Sequence, residues 1–213
     1  MSYKRSFLME ERLADNRQRI LKAARALVAE GGFNHASIAA VASSAGLSAG
    51  AIYRYFPSKA ALFVEVLTSA IDHEIAILQD IEQGKGNVTE RLRGCVESFA
   101  TRALEGPYLA YAFIAEPADQ EVDEARLHGR NRFGEVFKSL LIEGIEAGEF
   151  PEQSVDIGAA CIVGAFTEAL IRPIAPRAKH EARKELVEGI VAFCLRAVGA
   201  SVSAKKAGRG AKA

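Results

Sequence analysis

Residues 37–59, SIAAVASSAGLSAGAIYRYFPSK, decide the fold. Ser37 is a good helix N-cap, and Ile38, Val41, Ala42 and Ala45 follow it at helical spacing. Gly46 stands where that helix must stop, at a position that wants positive φ. Leu47 fills the turn, and Ser48 caps a second helix expected to run to Tyr55 or Phe56. Pro57 breaks it, and Ser58 caps a third. Two short helices joined by a glycine-containing turn predict a helix-turn-helix.

The three helix starts share an omission: no Asp or Glu follows Ser37, Ser48 or Ser58 in the first turn. Acids are favoured there by the helix dipole, and Lys59 puts a cation on a positive end at a cost of about 0.3 kcal/mol or more. Free N–H groups at helix N-termini are phosphate sites, and the cap hydroxyls can bond phosphate oxygens as well. A solvated lysine and an ordinary serine cap explain any one of these starts. Three inside one helix-turn-helix point to DNA backbone, with Ser37, Ser48 and Lys59 as candidate contacts. The recognition helix is expected at 49–55, its inner face anchored by Ile52 and Phe56. Ala49 opens it, and Gly50, Ala51, Tyr53, Arg54 and Tyr55 are left near the surface as candidate DNA contacts. Arg54 can donate two hydrogen bonds to guanine, worth about 1–3 kcal/mol of discrimination. Gly50 and Ala51 permit close approach, and Ala51 suits a thymine methyl. Tyr53 has the strongest claim among them to pack against its own domain instead.

With these residues in view, the run from 17 to 67 resembles the DNA-binding domain of the TetR family of transcriptional regulators. The matching blocks are ILKAARALVAEGGF (20–33), the stretch at 37–59, and ALFVEVL (61–67). The end of the second block, G-x-Ile-Tyr-x-x-Phe-x-Ser-Lys, is far more specific than a generic helix-turn-helix. The resemblance implies that Tyr53 and Lys59 bond the phosphate backbone and that Tyr55 is a further contact. Position 51 is alanine where many relatives carry a polar residue that reads a base, which shifts base reading towards Arg54. It also implies a twofold dimer and a long helix whose swing changes the separation of the two recognition helices.

Working outward, composition is that of an ordinary globular chain: 213 residues, 49% hydrophobic and 25% charged. Ala, Leu and Glu abound and no alternating strand run stands out, so the expected fold is all-α. Zero net charge hides a division. Residues 1–60 hold nine Lys/Arg against four acids, 205–213 hold four basic residues and no acid, and 61–204 hold 14 basic and 23 acidic residues. One end suits phosphate and the other repels it. No apolar run is read as long enough for a membrane span, and MSYKRSFLMEERL lacks the apolar centre of a signal peptide, so a cytoplasmic protein without membrane partners is expected. Cys95, Cys161 and Cys194 are isolated among apolar neighbours and read as buried, inert thiols.

Four units are expected: an N-terminal extension (1–15), the helix-turn-helix domain (16–62), a helical ligand-binding and dimerisation domain (63–200), and a basic tail (201–213) disordered by composition. Lys4 and Arg5 could reach a minor groove, although a frayed terminus explains them as well. The first firm helix is read from Asp15 or Asn16 to before Gly31, with Arg17 either on a phosphate or in solvent. Past a long helix from Lys59 to the GKGN at 84–87, Pro and Gly punctuate further helices at 88–104, 108–116 and about 119–147. Phe99, Tyr108, Tyr111, Phe133, Phe137 and Phe166, interleaved with Arg102, Glu116 and His128, are candidate lining for an apolar effector pocket with polar anchors. Core packing explains most of the aromatics equally. The acids from Glu116 to Glu124 with His128 read as a dipole-favouring helix start rather than a metal site. The last helices, 154–171 and 181–198, are apolar on two faces, so a second subunit is the expected cover and a homodimer the expected assembly.

The function expected is a dimeric, DNA-binding transcriptional regulator, most simply a repressor that leaves a palindromic operator when a small apolar or amphipathic effector binds. No catalytic residue, metal or cofactor is expected, since no nucleophile set or nucleotide loop is present and His35, His73, His128 and His180 are dispersed. The rival reading is a helical small-molecule-binding or adaptor protein whose DNA module is vestigial.

Overall fold

The computed structural model describes residues 2–176 and 183–200, with side chains from Glu10 on. Among these, every regular element is an α-helix. In chain order they are α1 (Ser2–His35), α2 (Ile38–Ala45), α3 (Ala49–Ile52), α4 (Lys59–Glu82), α5 (Val88–Glu105), α6 (Pro107–Ile114), α7 (Gln120–Glu146), α8 (Val155–Ile174) and α9 (Arg183–Ala197). The side chains of Lys4 and Arg5, His180, and the tail at 201–213 lie outside the described residues.

Two boundaries differ from the sequence reading. Helix α1 begins at Ser2, not at Asp15 or Asn16. Residues 8–14, LMEERLA, are strong helix formers, so a helix started earlier carries straight through the expected boundary. Near its other end α1 is broken by Gly31 (φ −164°, ψ 20°) and Gly32 (φ 77°, ψ −174°). The second lies in a region that essentially only glycine occupies. The other correction is α3, which ends at Ile52 instead of Tyr55. After it the chain tightens into three-residue turns, Arg54 N to Ala51 O (3.2 Å) and Tyr55 N to Ile52 O (2.9 Å). Pro57 keeps Phe56 out of helical conformation, and Gly50 and Tyr53 add little propensity, so the helix has nothing to extend it.

The N-terminal helices close on Ile20, Ala24, Val28, Val41, Ile52 and Leu62, all fully buried or nearly so. Each such aliphatic residue contributes about 1.5–3 kcal/mol by leaving water. Phe33 packs on Phe63 with ring centres 4.7 Å apart, so the turn after α1 rests on α4. Helix α4 then crosses the boundary expected at 62/63 without interruption and packs along α7. The C-terminal half stacks α5, α7, α8 and α9 around Phe137, Phe166, Leu140, Leu141 and Leu170. Gly144 lets α7 fold back tightly, since a Cβ there would sit 2.1 Å from the Phe150 ring.

Helix α8 is apolar on two faces, as read from the sequence. Ala159, Ile162, Val163, Phe166 and Leu170 are buried, whereas Ile157 is 66% exposed and Cys161 is exposed. That double coat makes α8 long and apolar enough to cross a membrane by length and composition, with 39% of the stretch buried. The expectation that no run reaches that length is therefore corrected. On α9, Phe193 is 54% exposed beside Ile157, Cys161 and Ala165 in one apolar trough. The thiol reading holds for Cys95 and Cys194 alone: burial raises their pKa to about 12 and about 11. Cys161 is on the outer face of α8 and is corrected to exposed.

Candidate nucleic-acid interface and effector cavity

At the N-terminal end, all three serine caps form as spacing predicts. The hydroxyl oxygens of Ser37, Ser48 and Ser58 accept from Ala40 N (3.1 Å), Ala51 N (3.2 Å) and Ala61 N (2.9 Å). Gly46 takes φ 66°, ψ 36°, and Leu47 N returns to Ala42 O at 2.9 Å, which closes α2. Arg19 also donates to Ala45 O at 2.6 Å. The first turns of α2, α3 and α4 hold no acid, while those of α5, α7, α8 and α9 each do. Among the C-terminal helices α6 shares that lack, so what sets the helix-turn-helix apart is three acid-free starts in succession.

Arg54 and Tyr53 are exposed and, among the described residues, neither side chain has a hydrogen-bond or ion-pair partner. Tyr53 is 52% exposed and does not take the packed alternative. Tyr55 instead leans inward, half-buried, its hydroxyl accepting from Asn16 Nδ2 at 3.0 Å. Ser48, Ala49 and Gly50 are exposed, Ala51 is half-buried, and a Cβ on Gly50 would meet nothing within 4 Å. Lys59 extends over the Phe63 ring at 5.1 Å and shares a surface cleft with Asp119, Glu121 and Glu124. Arg17, read as either a phosphate contact or solvated, has partners within the chain. It pairs with Glu65 through both guanidinium ends and covers the Phe56 ring at 5.1 Å.

The C-terminal half holds a pocket with a cavity volume of about 110 Å³ between α4, α5, α6, α7 and α8. Phe99, Arg102 and Phe133 line it, as expected. Phe137 and Phe166 do not; they form a second row, Phe166 lying 4.7 Å from Phe99 and 5.5 Å from Phe137 between ring centres. Tyr108, Tyr111 and His128 also fall outside the lining, Tyr108 and His128 on the exposed surface. Glu116 is the largest correction. It is 5% exposed and serves the turn after α1, accepting from Phe33 N (2.8 Å), Asn34 N (3.3 Å) and Asn34 Nδ2 (3.2 Å). Gly32 leaves room for it, since a Cβ there would lie 2.6 Å from a Glu116 oxygen.

Phe113 of α6 also lines the cavity, whereas the sequence reading missed Ile71 and Glu74 of α4 and Arg126, Gly129 and Arg130 of α7. A signal existed in α7: Arg126, Gly129, Arg130 and Phe133 are spaced along one helical face. Gly129 permits the close approach of α4, because a Cβ there would stand 2.5 Å from Ile71 Cδ1. Arg126 is buried and saturated, donating to Ala112 O (3.2 and 2.7 Å), to Glu116 O and to Asp123. Burial pushes its guanidinium below the ordinary value, against the upward pull of Asp123 and Glu116. Arg102 grips Glu74 Oε2 with Nε (3.0 Å) and Nη2 (2.7 Å), and its Nη1 donates to Ser98. No cluster of three or more metal-ligating side chains occurs among the described residues.

Comparison with known proteins agrees with this geometry. Residues 20–66 match the family of bacterial regulatory proteins of the tetR type. The chain is 29% identical over 147 residues to the HTH-type transcriptional repressor KstR2 of Mycobacterium tuberculosis, covering 66% of this chain and 72% of that one. It is 36% identical over 121 residues to the repressor KstR of Rhodococcus jostii, covering 52% of this chain and 54% of the other. Among solved structures, the regulator FadR from Bacillus subtilis in complex with stearoyl-CoA superposes with TM-score 0.73 at 20% identity, over 85% of this chain and 98% of that one. With the helix-turn-helix at its N-terminus and the helical body behind it, the chain is similar in sequence and fold to bacterial regulatory proteins of the tetR family, whose model matches residues 20–66.

Proposed function

We propose that the chain is a ligand-responsive, dimeric repressor that leaves a palindromic operator when a small apolar or amphipathic molecule fills the cavity. In this reading residues 16–62 form the DNA-binding unit and 63–200 the regulatory one. Ser37, Ser48, Ala49, Gly50, Ala51, Tyr53, Arg54, Tyr55 and Lys59 face DNA, with Tyr55 also bracing α1. The observation that carries it is the exposed pair Tyr53 and Arg54, whose side chains have no partner among the described residues, beside helix starts that hold no acid. An arginine without a carboxylate partner has all its donors to spend on a base edge or a phosphate.

Helix α4 supplies the link. Its first residue, Lys59, sits at the DNA end, while Ile71 and Glu74 form part of the cavity wall. A ligand that favours one setting of α4 shifts the spacing of two recognition helices and hence operator affinity. The name of the relatives as transcriptional repressors supports the sense of regulation, and the stearoyl-CoA complex of FadR supports an amphipathic effector. The second copy docks on the trough formed by Ile157, Cys161, Ala165 and Phe193, giving a four-helix bundle across a twofold axis.

The test is a titration of a duplex carrying the promoter beside the coding gene, at several salt concentrations. Lys59→Ala is expected to weaken binding to all sequences alike and to lower the salt slope by about 1, whereas Arg54→Ala relaxes base preference. Wild-type affinity and specificity in both variants would overturn the assignment, and no shift of the promoter duplex at all would favour the adaptor reading.

A further inference from the structure

We infer that the effector carries a carboxylate, or an equivalent planar anion, and that it acts by taking Arg102 from Glu74. The inference rests on the cavity being the effector site. Three arginines and one glutamate supply every charge on its wall, so an entering anion finds surplus positive charge and a cation does not. Of the three, Arg126 is committed to two backbone carbonyls and Asp123. Arg130 makes one long bond, to Ile114 O at 3.3 Å, and has no carboxylate partner among the described residues.

Arg102 holds the exchangeable bond. Its Nε and Nη2 both close on the same Glu74 oxygen, leaving Oε1 outside the grip. A carboxylate arriving from the cavity can offer one oxygen to each donor, the parallel arrangement that is stronger and more directional. Its apolar part meanwhile lies along Phe99, Phe113, Phe133 and Ile71, which supplies the affinity that a free acetate would lack. Glu74 belongs to α4 and Arg102 to α5, so the exchange cuts a tie between the linking helix and the regulatory body. The head group is thereby both the specificity element and the trigger.

The experiment measures binding of decanoate, decanol and decyltrimethylammonium by calorimetry to wild type, Arg102→Met and Glu74→Gln, with circular dichroism as the check on folding. Wild type is expected to prefer decanoate to decanol about tenfold or more and to bind the ammonium weakest. Arg102→Met removes the preference while holding decanol affinity within about threefold, since the apolar wall is intact. Glu74→Gln raises decanoate affinity, because no internal carboxylate competes. Decanol binding to wild type as tightly as decanoate overturns the inference and leaves the cavity reading standing, as does weaker decanoate binding by Glu74→Gln. Failure of all three compounds to bind wild type overturns the cavity reading and the inference with it. If Arg102→Met does not fold, Glu74→Gln alone decides.

Discussion

Replacing Glu116 by alanine should loosen the joint between the two halves of the chain. Three donors lose their acceptor: Phe33 N, buried, at 2.8 Å, and Asn34 N and Nδ2 at 3.3 and 3.2 Å. An unsatisfied buried N–H costs about 1–3 kcal/mol, and the two longer bonds add about 0.5 kcal/mol each. Against this, a carboxylate that is 5% exposed, with no salt-bridge partner among the described residues, no longer has to be desolvated. The net expected loss is about 2 kcal/mol, or about 4–8 °C in Tm for a chain of this size. Thermal and urea unfolding followed by circular dichroism measure it. Gly32→Ala sharpens the test, since it combines an unfavourable backbone of about 1–3 kcal/mol with a clash against the Glu116 oxygens. In the double variant the clash is gone, so the two losses should sum to less than their separate values by about 1 kcal/mol. A loss below about 0.5 kcal/mol for Glu116→Ala, or strict additivity, would refute the reasoning.

Phe193→Arg, placed in the apolar trough between α8 and α9, should convert the proposed dimer to monomer in sedimentation equilibrium; a dimer of unchanged affinity would move the interface elsewhere. Iodoacetamide should then label Cys161 faster in that variant than in wild type, and equal rates would count against the same face. Cys95 offers a pH test. Burial lifts its thiol from an ordinary 9.0 to about 12, so the folded chain keeps a proton that the unfolded chain has released. Stability should therefore be unaffected below pH 9.0 and fall as pH rises towards about 12, and Cys95→Ala should flatten that slope in urea titrations. The same fall in both proteins would show that the thiol plays no part.

Much of the DNA-binding end was legible because its signals are local. A serine cap, a glycine turn and a proline stop each act within four residues, and the structure reproduces Ser37, Ser48, Ser58 and Gly46 in those roles. Tyr53 stands at the surface as read, whereas the inward lean of Tyr55 depends on Asn16, a partner 39 positions away. The cavity was harder for the same reason. Aromatic residues announce burial, but whether Phe166 faces a void or another ring depends on how α5, α7 and α8 converge. Glu116 shows the limit most clearly. Its place beside tyrosines and phenylalanines suggested a pocket anchor, while its partners are backbone amides of a turn some 80 positions earlier in the chain.

Helix α8 carries one more consequence. A chain alone leaves Ile157 and Phe193 in water, and in the proposed dimer a second chain removes them from it. Folding and pairing are then linked by mass action, so melting temperature should climb with protein concentration. Operator occupancy would rise more steeply than the number of chains wherever pairing is incomplete. The amount of protein made becomes a control input in its own right, acting through a surface that touches neither DNA nor effector.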